Sequence, residues 1–115
     1  MHALIIEDES MFAEIIEYVL KDCGFDTFDI AGSSARAIEA AAQRRPDLIT
    51  ADVILDPGSG IEAVRIIGPG PSTPVIFITA RAAADVRVEM SRCMVLQKPF
   101  SEQTLTYAVS ASMLQ

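Results

Sequence analysis

Short apolar runs alternate along this chain with longer segments in which apolar residues recur every three or four positions. The first run is Ala3-Leu4-Ile5-Ile6. A helix is predicted from about Ser10 to Cys23, because Phe12, Ile15, Ile16, Val19 and Leu20 fall on one face there. Gly24 is placed to end it with a left-handed residue. Phe25 to Ala31 reads as a second strand, interrupted by Asp26 and Asp29. Ser33 or Ser34 caps an alanine-rich helix that runs to about Arg44, where Pro46 stops it. Leu48-Ile49-Thr50-Ala51 is the third strand, Asp56 to Gly60 a loop by composition, and Ile61 to Ile67 a short helix. Val75-Ile76-Phe77-Ile78 is a β-rich run entered through Pro74. A short helix over about Ala83 to Met90, a fifth strand over Met94 to Gln97 and a last helix from Ser101 to about Met113 complete the series.

Strands that alternate with helices predict an α/β fold: a five-stranded, doubly wound parallel sheet with helices on both faces and right-handed crossovers. In such a sheet every strand points the same way, so the residues that follow the strands share one edge. Here those residues are Glu7, Asp8, Asp52, Thr79 and Lys98. Open α/β sheets bind ligands at that edge.

Composition narrows the setting. At 115 residues the chain is read as one domain, 1–115, and half of its residues are hydrophobic, as a buried central sheet requires. No apolar run is long enough to span a membrane, and no export leader is read at the start, so a cytoplasmic location is expected. Nine basic against sixteen acidic residues leave a net charge of −7, which opposes direct binding to nucleic acid. Cys23 and Cys93 are expected to be free, buried thiols. His2 reads as incidental, the methionines as core filler, and Arg36, Arg44 and Arg45 as a solvated face.

Carboxylates gathered at one sheet edge need a counter-charge, and a hard divalent cation such as Mg²⁺ supplies it through oxygen ligands. Asp8 and Asp52 would give oxygens to Mg²⁺, with Glu7 joining through a water. Asp52 would then be the nucleophile toward phosphorus, Lys98 would neutralise phosphoryl oxygens, and Thr79 would donate its hydroxyl to one of them. Each residue has a plainer reading alone. An acid after a strand caps the next helix, as Glu9 does before Ser10; a threonine ends a strand; a lysine is solvated. Their joint occurrence at four strand ends favours the phosphoryl chemistry.

These residues resemble, from end to end of the chain, the receiver domains of two-component response regulators, a flavodoxin-like fold. The matching pieces are Ala3 to Glu9, Pro46 to Asp52, Gly60 eight residues past Asp52, Val75 to Ala80, and Lys98-Pro99-Phe100. The resemblance implies that Asp52 accepts a phosphoryl group from a histidine of a sensor kinase or phosphotransfer protein. It implies Mg²⁺ held by Asp8, Asp52 and the backbone carbonyl of Ile54, with Glu7 nearby. It implies a cis Lys98-Pro99 peptide. It implies that the protein is a signalling switch acting on a downstream protein target, one that catalyses only its own phosphorylation and dephosphorylation. Phosphorylation would bias the surface of the fourth helix, fifth strand and fifth helix.

Three departures from the family pattern stand out. Val95 occupies the place of an aromatic three residues before the lysine, the segments between Asp52, Thr79 and Lys98 are short, and Ile54 and Arg81 flank the site. The last pair points to a long-lived acyl phosphate. A stand-alone receiver is the leading expectation, with the excised input domain of a larger regulator beside it. The alternatives are a degenerate receiver used as a phosphorylation-independent binding module and an aspartate-dependent phosphatase of the haloacid-dehalogenase type. The latter needs a second aspartate two residues after its nucleophile, where Glu9-Ser10 follow Asp8 instead.

Overall fold

Successive residues of a strand point to opposite faces of its sheet, and here both faces are apolar and both are covered. The structure, a computed structural model, describes residues 1–68, 73–81 and 93–114. Its strands are β1 (His2–Ile6), β2 (Thr27–Ala31), β3 (Leu48–Ala51), β4 (Val75–Thr79) and β5 (Met94–Gln97). Its helices are α1 (Ser10–Asp22), α2 (Ser34–Gln43), α3 (Gly60–Ile67) and, last in the described chain, α4 (Glu102–Met113). The strands pair in parallel in the order β2-β1-β3-β4-β5. The helix predicted over about residues 83–90 lies outside the described residues.

Ala3, Ile5, Leu48, Ile76 and Ile78 pack on one face against Ala13, Ile16, Val19 and Leu20 of α1 and Leu105, Ala108 and Val109 of α4. Leu4, Ile6, Ile49, Ala51 and Phe77 pack on the other against Ala37 of α2 and Ile61, Ala63 and Val64 of α3. The predicted doubly wound sheet is therefore the observed one. The chain leaves β1 first toward β2 and then, through β3, toward the opposite edge. That reversal opens a crevice between the carboxyl ends of β1 and β3.

Helix ends follow their sequence signals closely. Gly24 (φ 100°) follows α1; its N–H bonds the Lys21 carbonyl, and the N–H of Phe25 bonds that of Leu20. This is the paired C-terminal bonding that a left-handed glycine permits. Phe25 is thereby drawn into the core, and β2 begins only at Thr27, two residues later than expected. Ser33 rather than Ser34 caps α2, accepting from the Arg36 N–H. Ser101 and Thr104 form a reciprocal capping box at α4.

Other expectations needed correction. His2 is not incidental: β1 is an interior strand, so His2 is buried, with Nδ1 2.9 Å from Thr27 Oγ1 and Nε2 2.9 Å from Asp29 Oδ2. Met94 and Met113 pack on the core, but Met1 and Met11 are exposed, so the methionines are only partly filler. Cys23 and Cys93 form no disulfide; they pack against cores on opposite faces of the sheet and are half-buried rather than buried. No helix among the described residues is long and apolar enough to cross a membrane.

Candidate functional site

The parallel ladder continues one bond past three of the strands, and those bonds bring the candidate residues to one rim. Beyond β1, the Glu7 N–H donates to the Ala31 carbonyl at 2.9 Å. After β3, the Asp52 N–H donates to the Ile6 carbonyl at 2.8 Å, and after β5 the Lys98 N–H donates to the Thr79 carbonyl at 2.9 Å. Backbone pairing thus delivers Glu7, Asp52, Thr79 and Lys98 together, whatever their side chains do. The Lys98-Pro99 peptide is cis, as is Asp56-Pro57.

The ammonium of Lys98 is the centre of the site. Its Nζ lies 2.8 Å from Asp52 Oδ2, 2.7 Å from Glu7 Oε1 and 3.7 Å from Glu9 Oε2. The Glu7 side chain is 1% exposed and that of Lys98 9%. Burial pushes the Glu7 carboxyl above its ordinary range, and the ammonium and the Glu9 amide only partly offset it. Burial also works against the charge on Lys98, but the bonds and charges of Asp52 and Glu7 outweigh it and hold the ammonium above its ordinary value.

Asp8 is exposed on the other side of the crevice, where its Oδ2 accepts from the Asp56 N–H at 3.2 Å. Oxygens of Glu7, Asp8 and Asp52 all lie within 4.8 Å of one another. Glu7 Oε1 is buried, and among the described residues its one polar partner is the Lys98 ammonium at 2.7 Å. An under-satisfied buried oxygen among three convergent carboxylates fits a hard, oxygen-seeking divalent cation. The donor set contains no sulfur or imidazole, which fits Mg²⁺ rather than a softer metal.

Thr79 is fully buried, and its Oγ1 accepts from the Arg81 N–H at 3.2 Å. Ile54 donates its N–H to Asp52 Oδ1 at 3.1 Å and leaves its side chain 57% exposed beside the crevice. Gly60 abuts the backbone of Asp52: a Cβ there would run into the Asp52 carbonyl oxygen. Ser34 ties down the loop between them, accepting from the Ser59 N–H at 3.1 Å and donating to the Ser59 carbonyl at 3.2 Å.

Two participants escaped the sequence reading. Glu9 stands at the N-cap position of α1, but its carboxylate makes no cap bond and faces Lys98 instead. Phe12, assigned to the helix's buried face, has its ring 4.2 Å from Lys98 Nζ and 5.9 Å from the ring of Phe100. No local signal marked it, because the contact joins the first turn of α1 to a residue that follows β5.

Comparison with known proteins identifies the family and the fold. The family model for the response regulator receiver domain matches residues 3–110. The DNA-binding response regulator MtrA of Mycolicibacterium paratuberculosis is 31% identical over 111 residues, covering 94% of this chain and 49% of that protein. The chain thus spans about half the length of the curated relatives it matches. The receiver (REC) domain of the Erythrobacter litoralis response regulator PhyR is 34% identical, with a TM-score of 0.84 over 98% of this chain and 89% of that one. The chemotaxis protein CheY4 of Vibrio cholerae, 22% identical, shares the fold with a TM-score of 0.85 over 96% of this chain and 97% of that one.

Proposed function

This chain belongs to the response regulator receiver domain family, and we propose that it is a phosphorylatable switch in which Asp52 is the acceptor. The donor is a phosphohistidine on a sensor kinase or phosphotransfer protein. An Asp52 carboxylate oxygen attacks phosphorus, the donor's N–P bond breaks with its electron pair returning to the imidazole, and an acyl phosphate forms on Asp52. Residues 1–115 act as the receiver unit, and a cytoplasmic setting suits such a donor.

The observation that carries this reading is the shared contact of Lys98 Nζ with Asp52 and Glu7, beside three carboxylates whose oxygens lie within 4.8 Å. Glu7, Asp8, Asp52 and the Ile54 carbonyl are the residues that would hold Mg²⁺, which when bound supplies positive charge toward the phosphoryl oxygens. Lys98 already touches the Asp52 carboxylate, so its charge would need little reorganisation as negative charge accumulates. Thr79, whose Oγ1 accepts from the Arg81 N–H, would donate its hydroxyl hydrogen to a phosphoryl oxygen, and that new bond is the first step of the switch. Family members generally act as signalling modules rather than enzymes, so the only turnover expected is of the protein's own phosphate. Incubation with Mg²⁺ and acetyl phosphate followed by intact mass tests the reading: one phosphoryl group is gained by the wild type and none by Asp52→Asn. A wild type that takes up no label would overturn it.

One observation favours a second reading, a binding module indifferent to phosphate. Val95, in place of an aromatic, lines a largely apolar groove of about 390 Å³ with Met94, Leu96, Gln103, Thr104, Tyr107 and Ala108. An output surface with that composition can be complete without rotation of a ring. A partner bound equally by wild type and Asp52→Asn, with and without acetyl phosphate, would support it.

A further inference from the structure

We infer that Phe12 is a positioning residue for Lys98, holding its ammonium against Asp52 and Glu7 and away from Glu9; the inference rests on the phospho-acceptor reading of Asp52. Among the residues of α1, Ala13, Ile16, Val19 and Leu20 are buried in the core. Phe12 is half-buried and belongs to neither apolar core. Among the described residues its ring meets Lys98 Nζ at 4.2 Å and the Phe100 ring, tilted by 38° at 5.9 Å. A half-buried aromatic at the rim of the core, with its ring over the ammonium, is placed for the lysine.

The chemistry follows from the ring's charge distribution. An aromatic face attracts an ammonium electrostatically, and more strongly where water is excluded. Lys98, at 9% side-chain exposure, is such a case. Three carboxylates compete for this one cation, and the most exposed of them is Glu9, 60% exposed and 3.7 Å away. Without the ring, water and Glu9 would draw the ammonium outward, off the oxygen where phosphoryl charge develops. Unlike a fourth carboxylate, the ring holds the cation without neutralising it, so its charge remains available to an incoming phosphoryl group. Phe100, two residues past Lys98 and itself packed on the core, backs the Phe12 ring and fixes its plane.

The test compares wild type, Phe12→Leu and Phe12→Tyr, each shown to fold by its thermal denaturation midpoint. Leucine keeps the apolar bulk and loses the π face; tyrosine keeps both. The phosphorylation rate with acetyl phosphate and Mg²⁺ should fall about tenfold in Phe12→Leu, the size that a desolvated cation–π contact supports. Phe12→Tyr should stay within about twofold of wild type on the same grounds. Proton resonances of the Lys98 Cε methylene, shielded by the ring, should move downfield in Phe12→Leu and hold in Phe12→Tyr. Phe12→Leu reacting at the wild-type rate, or Phe12→Tyr as slow as Phe12→Leu, would overturn the inference. The resonance comparison needs no phosphorylation. If wild type takes up no label, the acceptor reading fails by itself, and unmoved Lys98 resonances in Phe12→Leu would separately remove the role of Phe12.

Discussion

Gly60 and Asp52 meet backbone to backbone: a single added carbon on Gly60 would take the place of the Asp52 carbonyl oxygen. The contact joins the first turn of α3 to the residue that carries the proposed chemistry. Relief would require shifting backbone rather than a flexible side chain, so the neighbours cannot yield cheaply.

Gly60→Ala should therefore destabilise the fold by about 1–3 kcal/mol, the usual cost of overpacking. It should also slow phosphorylation more than that loss explains, because Asp52 must move. Urea denaturation gives the first quantity and acetyl phosphate kinetics the second. A variant with unchanged midpoint and rate would show that the loop relaxes freely.

Glu7 makes stability depend on pH in a defined direction. Its folded pKa is raised above the ordinary 4.5, chiefly by burial, so between that value and the folded one the native state binds more protons than the unfolded chain. Through that window stability falls as pH rises. In chelator, Glu7→Gln should thus be the more stable protein at neutral pH, and the gap should close as the pH approaches 4.5. Lys98, raised above 10.5, works with the opposite charge: its contribution is full below 10.5 and is lost as pH climbs through the folded value. Denaturation midpoints across a pH series for both proteins would check the two signs.

Mg²⁺ should stabilise the native chain and not the unfolded one, since only folding brings Glu7, Asp8 and Asp52 together. At a hundredfold excess over its dissociation constant the gain is about 2.7 kcal/mol. Asp8→Asn keeps an acceptor for the Asp56 amide but removes one ligand charge, so the fold should persist while the Mg²⁺ gain largely disappears. Chelator should reverse the effect in wild type. An equal gain in Asp8→Asn would place the metal elsewhere.

The acyl phosphate on Asp52 should be long-lived. The Ile54 side chain stands exposed two residues past Asp52, where it offers an attacking water no hydrogen bond, and Arg81 lies two residues past Thr79 with its N–H on the Thr79 hydroxyl. Replacing Ile54 with asparagine should shorten the lifetime about tenfold by orienting water, an effect of the size general catalysis allows. Loss of most label from wild type within seconds at neutral pH would refute this expectation.

The hydrophobic pattern alone located all five strands and the described helices, since both periodicities are local: two for strands and 3.6 for helices. Errors gathered where a long-range contact overrode a local signal. Phe25 is β-prone but closes the α1 end by packing on the core, which delays β2 to Thr27. His2 looked peripheral because nothing local reveals that β1 is flanked on both sides. Glu9 had the sequence position of a cap, yet a buried ammonium is a better partner for a carboxylate than a helix end.

What the amino-acid order determined by itself was which residues stand at the carboxyl ends of parallel strands, because the alternation of apolar runs and amphipathic segments sets strand ends and direction together. It placed Glu7, Asp8, Asp52, Thr79 and Lys98 on one rim without coordinates. What only the tertiary structure decided was the contact network among them: Lys98 reaching Glu7 and Asp52 at once, Gly60 pressed on the Asp52 carbonyl, and the Phe12 ring against the ammonium. Those contacts join residues dozens of positions apart, and their distances depend on strand register and helix docking, which no local pattern encodes.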